Sequence, residues 1–255
     1  MDQEIEHVRV PDEIRFVASR ICETFPKRAK LDPSGEVSIG ELSPEEDLAG
    51  AFVQLSGYVD EIIDNINTVI SDLGLLADSS RAFGDNHPFR RYKLLVRLFY
   101  YEFGRFEDAF GYYTLWLNHH KILDKKQRKS LMEDFHNEQK PLIVARNICL
   151  HDDPTWKPDT SPEIRILEGL DMFGLLAKDK DGKTLEWDPH LAPLCNARVS
   201  QFYQFASNMR TTWNMLFSNA AEEFIKAGKL KRVNRTFKPK NLVRRRNRGH
   251  DPGSL

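Results

Sequence analysis

Residues 92–117 of the chain read YKLLVRLFYYEFGRFEDAFGYYTLWL and carry a regular run of apolar side chains. The apolar positions alternate in steps of four and three residues, which is the spacing of one face of an α-helix. They are Tyr92, Val96, Phe99, Phe103, Phe106, Phe110, Tyr113 and Leu117. We therefore predict a helix of about seven turns whose aromatic face packs into a core.

A second stretch, residues 48–73, repeats this spacing. Its apolar positions are Leu48, Phe52, Leu55, Val59, Ile62, Ile66, Val69 and Leu73. Ser43 and Pro44, followed by the acidic Glu45 and Glu46, form the sequence of N-cap, first-turn proline and first-turn acids that begins a helix. Turn residues occupy 74–88 between the two stretches, so a helical hairpin is the arrangement in which the two apolar faces cover each other.

The rest of the sequence is also mainly helical in pattern. Further amphipathic helices are predicted at 12–25, 125–150, 162–176 and 197–227. Pro141 predicts a kink or a break in the second of these, and Gly228 ends the last. A linker is predicted at 26–43 and a small β-hairpin at 175–187. The predicted fold is all-α: an up-down bundle of about five to six helices with one small β-hairpin insertion.

The charge is distributed unevenly along the chain. The 37 Lys and Arg residues almost balance the 38 Asp and Glu residues, for a net charge of -1. Residues 226–255 nevertheless carry +10, and residues 1–225 carry -11. We predict a bundle over 1–225, with an N-terminal arm (1–43) and a core (44–225), followed by a flexible basic tail. The tail cations predicted to contact RNA phosphates are Lys240, Arg244, Arg245, Arg246 and Arg248.

Several classes of protein are excluded by composition. No run approaches the roughly 18 apolar residues of a membrane helix, and residues 1–14 have neither the basic nor the apolar region of a signal peptide. We expect a cytoplasmic protein without a membrane partner. Cys22, Cys149 and Cys195 show no metal-ligand spacing, so buried, reduced thiols are expected, with no metal and no cofactor.

One short motif points to chemistry. The predicted helix at 125–150 closes with IVARNICLHDDP, residues 143–154, in which an arginine and an asparagine are followed by a histidine: Arg146, Asn147 and His151. This pattern resembles the signature of the HEPN superfamily, an arginine followed by four to six residues and a histidine. A second Arg-x4-His pattern, Arg245 to His250, lies in the tail, outside any predicted core.

The resemblance implies a helical bundle and a class of activity. Many HEPN proteins are metal-independent endoribonucleases, found as toxins of toxin–antitoxin pairs or in defence against phage, whereas others bind nucleotides or RNA without cleaving it. Members commonly dimerise with the two motifs facing each other. An acidic residue on an earlier helix often accompanies the motif. Here Glu102 is the predicted one, with Glu107 and Asp108 as the other candidates.

The residue types suit RNA cleavage. Histidine titrates near neutral pH, so His151 can serve as the acid–base group, while Arg146 offers a phosphate a permanent cation. Asn147 can bind a phosphate or hold the tautomer of His151. On a regular helix, residues five apart are rotated by about 140°. Arg146 and His151 can therefore act together only if His151 lies beyond the last regular turn or if the site combines two protomers.

Alternatives remain open at this point. In the first alternative Arg146 pairs with a carboxylate and His151 caps the helix, which leaves a non-catalytic module that binds RNA, a nucleotide or another protein. The His151-Asp152 doublet also fits an HD-type metal phosphohydrolase, with His119-His120 upstream. Glu133 and His136 match half of a di-iron motif, which requires a second copy on a facing helix.

Overall fold

The structure is a computed structural model that describes residues 4–31, 37–39, 41–80, 82–83, 87–149, 162–172, 182–183 and 186–233. The elements in chain order are α1 (Asp12–Arg28), β1 (Ala29–Leu31), β2 (Val37–Ile39), α2 (Pro44–Asp78), α3 (Pro88–His119), α4 (Lys125–Asn147), α5 (Pro162–Met172) and α6 (Asp188–Lys226). The prediction of an all-α bundle is confirmed. None of the helices within these ranges has the length and apolar character needed to cross a membrane.

The predicted helical hairpin is formed by α2 and α3, which pack against each other. All eight predicted core positions of α3 are buried, and so are seven of the eight in α2, with Leu55 half-buried. Ser43 caps α2 through a capping box with Glu46. The turn is shorter than predicted: α2 continues through Gly74 to Asp78 because Leu76 extends the buried face.

Helix α6 completes the core by packing along α2 and, over a smaller area, α3. Phe99 of α3 stacks on Phe202 at 3.6 Å between ring centroids, and Trp213 meets Tyr113 edge to face at 5.8 Å. The helix begins at Asp188, nine residues before the predicted start. The prolines at 189 and 193 are atypical of a helix interior, so the sequence predicted a later start. The first proline lies in the opening turn of the helix, where no amide hydrogen is needed.

The C-terminal end of α6 is a Schellman motif. Gly228 adopts φ +68°, the Lys229 amide donates to the Phe224 carbonyl, and the Gly228 amide donates to the Ile225 carbonyl. The predicted stop at Gly228 is therefore confirmed. Leu230 then packs into the core with 3% exposure, so the tail boundary predicted at 226 is too early. The tail cations Lys240, Arg244, Arg245, Arg246 and Arg248 lie outside the described residues.

The N-terminal arm is attached to the bundle. Ile5 and Val8 are buried, and the Asn67 side chain both accepts from the Ile5 amide and donates to the Ile5 carbonyl. The Val8 amide donates to Asp60. Helix α1 follows and packs on α2; its Cys22 is exposed, unlike the buried Cys149 and Cys195, which corrects the prediction of three buried thiols.

The predicted linker at 26–43 contains regular structure. Helix α1 extends to Arg28, and β1 pairs antiparallel with β2, with Ala29 opposite Ile39. Strands of three residues are too short to show an alternating pattern in the sequence, which is why this ladder was missed. The β-hairpin predicted at 175–187 falls largely on residues outside the described ranges.

Helix α4 differs from the others because it lies on α3 without a fully buried residue of its own. Asp124 caps it through a capping box with Gln127. The helix continues through Pro141, so the structure shows no break there. Leu131, predicted to face inward, is exposed, whereas Phe135 stacks on Phe110 of α3 at 4.5 Å. The side chains that attach α4 to the bundle are therefore only partly buried.

Candidate functional site

Arg146 lies in the last turn of α4 and crosses over Gly104 of α3. A methyl group on Gly104 would come within 3.3 Å of Nη1 of Arg146, which is closer than an ordinary van der Waals contact. Glycine at this position therefore lets the guanidinium approach the α3 backbone. The Arg146 side chain as a whole is largely covered, with 22% of its surface exposed.

Glu107 of α3 holds this guanidinium. Its Oε2 atom accepts from Nη1 of Arg146 at 2.5 Å, and its Oε1 atom lies 2.9 Å from Nε2 of His136 on α4. The Glu107 side chain is 21% exposed, so the ion pair lies in a partly desolvated position where charge-assisted hydrogen bonds are strong. One carboxylate thus joins two side chains of α4 to α3.

Asn147 contacts the edge of the Arg146 guanidinium that Glu107 does not bind. Nε and Nη2 of Arg146 each lie 3.4 Å from Oδ1 of Asn147, at the long limit of hydrogen bonding. We call these four residues, Glu107, His136, Arg146 and Asn147, the Glu107 cluster. The cluster carries one permanent cation and one carboxylate. The carboxylate of Glu107 therefore already balances part of the positive charge that Arg146 can offer to a ligand.

Glu102, the acidic residue predicted to accompany the motif, belongs to a different cluster. It is buried, accepts from Nδ2 of Asn65 at 3.0 Å and from Nη1 of Arg105 at 3.0 Å, and so faces α2. Burial raises the pKa of Glu102, and the opposing effects of Arg105 and Asn65 are smaller. Glu102 and Glu107 are five residues apart and hence about 140° apart around α3, and Glu107 is the one that reaches Arg146.

Two features of the sequence could have identified Glu107 and His136. Along α3, Gly104 marks the flank on which Arg146 of α4 lies, and Glu107 follows three residues later on the same flank. Along α4, His136 and Arg146 are linked by steps of three, four and three residues, which keeps them on one side of the helix. In the sequence, His136 stands out only as half of a di-iron motif.

The histidine of the motif and its acidic neighbours, at positions 151–153, lie outside the described residues. The chain continues from α4 in a wider, π-type turn to Cys149, which is buried. The described residues contain no group of three or more His, Cys, Asp or Glu side chains placed to hold a metal ion.

Comparison with known proteins returned no relative. No family model matches the chain, and no curated protein or solved structure matches it either.

Proposed function

We propose that this chain is a metal-independent endoribonuclease of the HEPN type, related in role to toxins or phage-defence nucleases. Its site lies at the C-terminal end of α4 and uses Arg146, Asn147 and His151. The observation that carries the proposal is the position of Arg146, which Glu107 fixes at the end of α4, next to the asparagine of the motif. Glu107 replaces Glu102 as the accompanying acid, and its role is to position Arg146.

The proposed reaction uses the RNA's own 2′-hydroxyl as the nucleophile. A base removes its proton, the O2′–P bond forms, and the P–O5′ bond breaks. The products are a 2′,3′-cyclic phosphate and a free 5′-hydroxyl, whose oxygen takes up a proton from the enzyme. His151 supplies the acid–base function, and the guanidinium of Arg146 stabilises the charge that develops on the phosphorane.

Arg146 can take this role although Glu107 already holds it. Glu107 binds Nη1, and among the described residues the opposite edge of the guanidinium makes only long contacts, with Asn147. A phosphate oxygen is a stronger acceptor than the neutral amide oxygen of Asn147, so it can displace that contact. The fixed carboxylate then orients the guanidinium and lowers the conformational entropy lost when a phosphate binds.

The uneven charge distribution along the chain indicates how RNA would reach the site. The acidic body does not attract RNA, so in this proposal the tail residues Lys240, Arg244, Arg245, Arg246 and Arg248 bind the RNA backbone and bring it to the bundle. We propose that the protein acts as a homodimer and that a protein antitoxin regulates it. No cofactor is required, because arginine supplies the positive charge in the reaction.

The test is RNA cleavage in the presence of EDTA. Purified protein is incubated with total RNA, and new 2′,3′-cyclic phosphate ends are counted. We expect His151→Ala and Arg146→Ala to lower the rate about 100-fold or more. His190→Ala on α6 and the exposed Arg20→Ala on α1, purified in parallel, serve as matched controls and should retain the rate. Equal cleavage by wild type and His151→Ala would remove the catalytic assignment.

A second candidate function is a non-catalytic module that binds RNA or a nucleotide. The Arg146–Glu107 ion pair favours it, because a guanidinium that already has a carboxylate partner can be a purely structural residue. This candidate predicts salt-dependent RNA binding without cleavage. Binding would be lost when Arg244, Arg245 and Arg246 are changed together to Gln in the full chain, and it would be unaffected by His151→Ala.

A further inference from the structure

The described part of the N-terminal arm, residues 4–10, lies along the seam between α2 and α6. Asn67 of α2 binds both the amide and the carbonyl of Ile5, at 3.0 and 2.9 Å. Three residues later, the Val8 amide donates to Asp60 at 2.8 Å, so the arm runs antiparallel to α2. Three extended residues span about 10 Å, and seven helical residues rise by about 10.5 Å. The arm is therefore extended and keeps one register along the helix.

Helix α6 binds the other side of the arm, again through the backbone. Nε of Arg210 donates to the His7 carbonyl at 3.2 Å. The Arg9 amide donates to Oδ1 of Asn214 at 2.6 Å. Arg210 and Asn214 are four residues apart and so lie on the same side of α6. Along the arm the contacted positions rise in α6 and fall in α2, because the two helices run in opposite directions beside it.

These contacts are of the kind by which a protein binds an extended peptide. Side chains of the two helices pair with amides and carbonyls of the arm, and no backbone-to-backbone hydrogen bond within the described structure holds residues 4–10. In the recognition of extended peptides, main-chain hydrogen bonds provide affinity and positions for individual side chains provide specificity. Ile5 and Val8, which are 4% and 7% exposed, occupy the two apolar positions.

The two walls of the seam carry opposite charges, which define the order of charged residues that suits a peptide here. Glu6 pairs with Arg210 of α6. The next residue, His7, contacts the opposite wall, where its Nε2 lies 2.8 Å from Oδ1 of Asp64 on α2. Complementary charges at fixed positions select one order of residues over its reverse. The order that fits is therefore apolar, acidic, basic, apolar, as in residues 5–8.

We propose that this seam binds an extended segment of a partner protein with the order apolar, acidic, basic, apolar, and that the arm is its intramolecular occupant. We call the seam the arm groove, and its lining residues are Asp60, Asp64, Asn67, Arg210 and Asn214. A partner enters the groove only when the arm leaves it. The arm is thus an autoinhibitory segment.

The arm can leave the groove while the bundle stays folded. Helix α1, which follows the arm, packs on α2 and has buried residues of its own, Ile14 and Val17 at 0% and 3% exposure. The arm buries two apolar side chains, and this gain is opposed by the conformational entropy lost when its backbone is ordered. Segments with few buried apolar contacts open at low free energy, without unfolding of the core.

The tether to α1 sets the affinity that a partner needs. A short flexible tether gives a segment an effective concentration of about millimolar at its site. A peptide added in trans therefore meets an occupied groove and binds with a lower apparent affinity. The proposal stands independently of the proposed ribonuclease activity, because no residue of the Glu107 cluster lines the groove.

The first experiment measures the binding of a fluorescein-labelled peptide of residues 4–11, EIEHVRVP, by fluorescence anisotropy. In the full chain, Ile5→Asp and Val8→Asp together should release the arm. This released variant should bind the peptide about tenfold or more tightly than wild type, because the competing segment has left the groove. No binding of the peptide by a released variant whose circular dichroism is that of wild type overturns the proposal.

A third change in the released variant tests the groove itself. Asn67→Ala removes two hydrogen bonds to the peptide backbone and should weaken binding about tenfold. Asn137→Ala is the matched control, because Asn137 is an exposed asparagine of α4. Equal peptide binding by the two triple variants would show that the peptide does not bind in the arm groove and would overturn the proposal.

A second peptide tests the order of charges. In EIHEVRVP the acidic and basic residues are exchanged, so the acid would face Asp64 and the base would face Arg210. This peptide has the same composition as the first and should bind the released variant about tenfold more weakly. Equal affinities for the two peptides would overturn the proposed specificity.

An NMR experiment on the wild-type chain does not depend on any variant. Unlabelled EIEHVRVP peptide is added to isotope-labelled protein, in excess over the effective concentration of the arm. The amide signals of Ile5 and Val8 in the protein should move to positions typical of a disordered segment, while that of Ile14 in α1 should stay. If the Ile5 and Val8 signals keep their positions, the peptide does not displace the arm and the proposal fails.

Discussion

Helices α6 and α4 both pack on the α2–α3 hairpin, but they do so in different ways. Helix α6 buries eleven residues, several of them aromatic, whereas α4 buries none of its own. Helix α4 is held by the stack of Phe135 on Phe110 and by the Glu107 cluster. We therefore expect the fold to depend mainly on α2, α3 and α6, whereas the candidate site lies on the helix that contributes least to the core.

The largest expected difference concerns aromatic residues on the two helices. Trp213→Ala on α6 removes a side chain that is 1% exposed and should lower the free energy of unfolding by roughly 3–5 kcal/mol. Phe135→Ala on α4 removes a half-buried ring and should cost about 1–2 kcal/mol. Urea denaturation followed by circular dichroism measures both. Equal losses would show that α4 belongs to the cooperative core.

A smaller effect is expected from the ion pair that joins α4 to α3. Glu107→Gln keeps the shape of the side chain but removes the charge that holds Arg146, so it should lower stability by about 1–2 kcal/mol. The matched control is Glu133→Gln, because Glu133 makes an exposed pair with Lys129 at 3.6 Å. Its stability should be nearly unchanged. The same denaturation measurement applies, and an unchanged Glu107→Gln protein would mean that the pair does not anchor α4.

Most of the bundle could be predicted from the sequence, because its determinants are local and periodic. The buried faces of α2 and α3, the Ser43 cap and the stop at Gly228 all follow from spacing and cap chemistry. The early start of α6 could not, since its two prolines are also typical of a loop. The short strands β1 and β2 carry too few residues to show a period.

Gly104 and Gly111 of α3 offer a finer comparison. A methyl group at Gly111 meets no atom within 4 Å, so Gly111→Ala should raise stability by about 0.5–1 kcal/mol through the better helix propensity of alanine. At Gly104 the methyl group crowds Nη1 of Arg146, so Gly104→Ala should gain less. Thermal unfolding of both variants gives the difference. If Gly104→Ala raises stability as much as Gly111→Ala does, the Arg146 side chain can move away from the added methyl group.

The smallest expected effect is on pH dependence, at the N-terminal arm. A hydrogen bond to Asp64 at 2.8 Å, with smaller contributions from Asp60 and Glu4, raises the pKa of His7 above its usual value. The folded state therefore binds this proton more tightly than the unfolded state. The resulting stabilisation is fully present below about pH 6.5 and is lost as the pH rises through the raised pKa of His7.

Titration by NMR tests this assignment. Asp64→Asn should lower the pKa of His7 towards its ordinary value. His120 is the internal control, because burial, followed by the charges of His119 and Lys229, lowers its pKa, and Asp64 takes no part. If His7 titrates identically in wild type and in Asp64→Asn, the hydrogen bond does not hold the arm in solution.

The candidate site was only partly predictable. Arg146 and Asn147 stood out through a short motif, but their partner Glu107 comes from a helix about 40 residues earlier in the chain. Which of several acidic residues meets the motif depends on how α4 is rotated on α3, and that rotation is decided by tertiary contacts such as Phe110 with Phe135. Apart from Gly104, which marks the flank of α3 on which Arg146 lies, a single sequence carries no local pattern for such a rotation.

We propose that the end of α4 cleaves RNA. The most direct measurement is the rate at which 2′,3′-cyclic phosphate ends appear in EDTA for wild type, Arg146→Ala and Glu107→Gln at equal protein concentration. We predict a loss of about 100-fold for Arg146→Ala and about tenfold for Glu107→Gln, since the latter only positions the guanidinium. Equal rates for all three proteins, or no cyclic phosphate ends from the wild type, would contradict the claim.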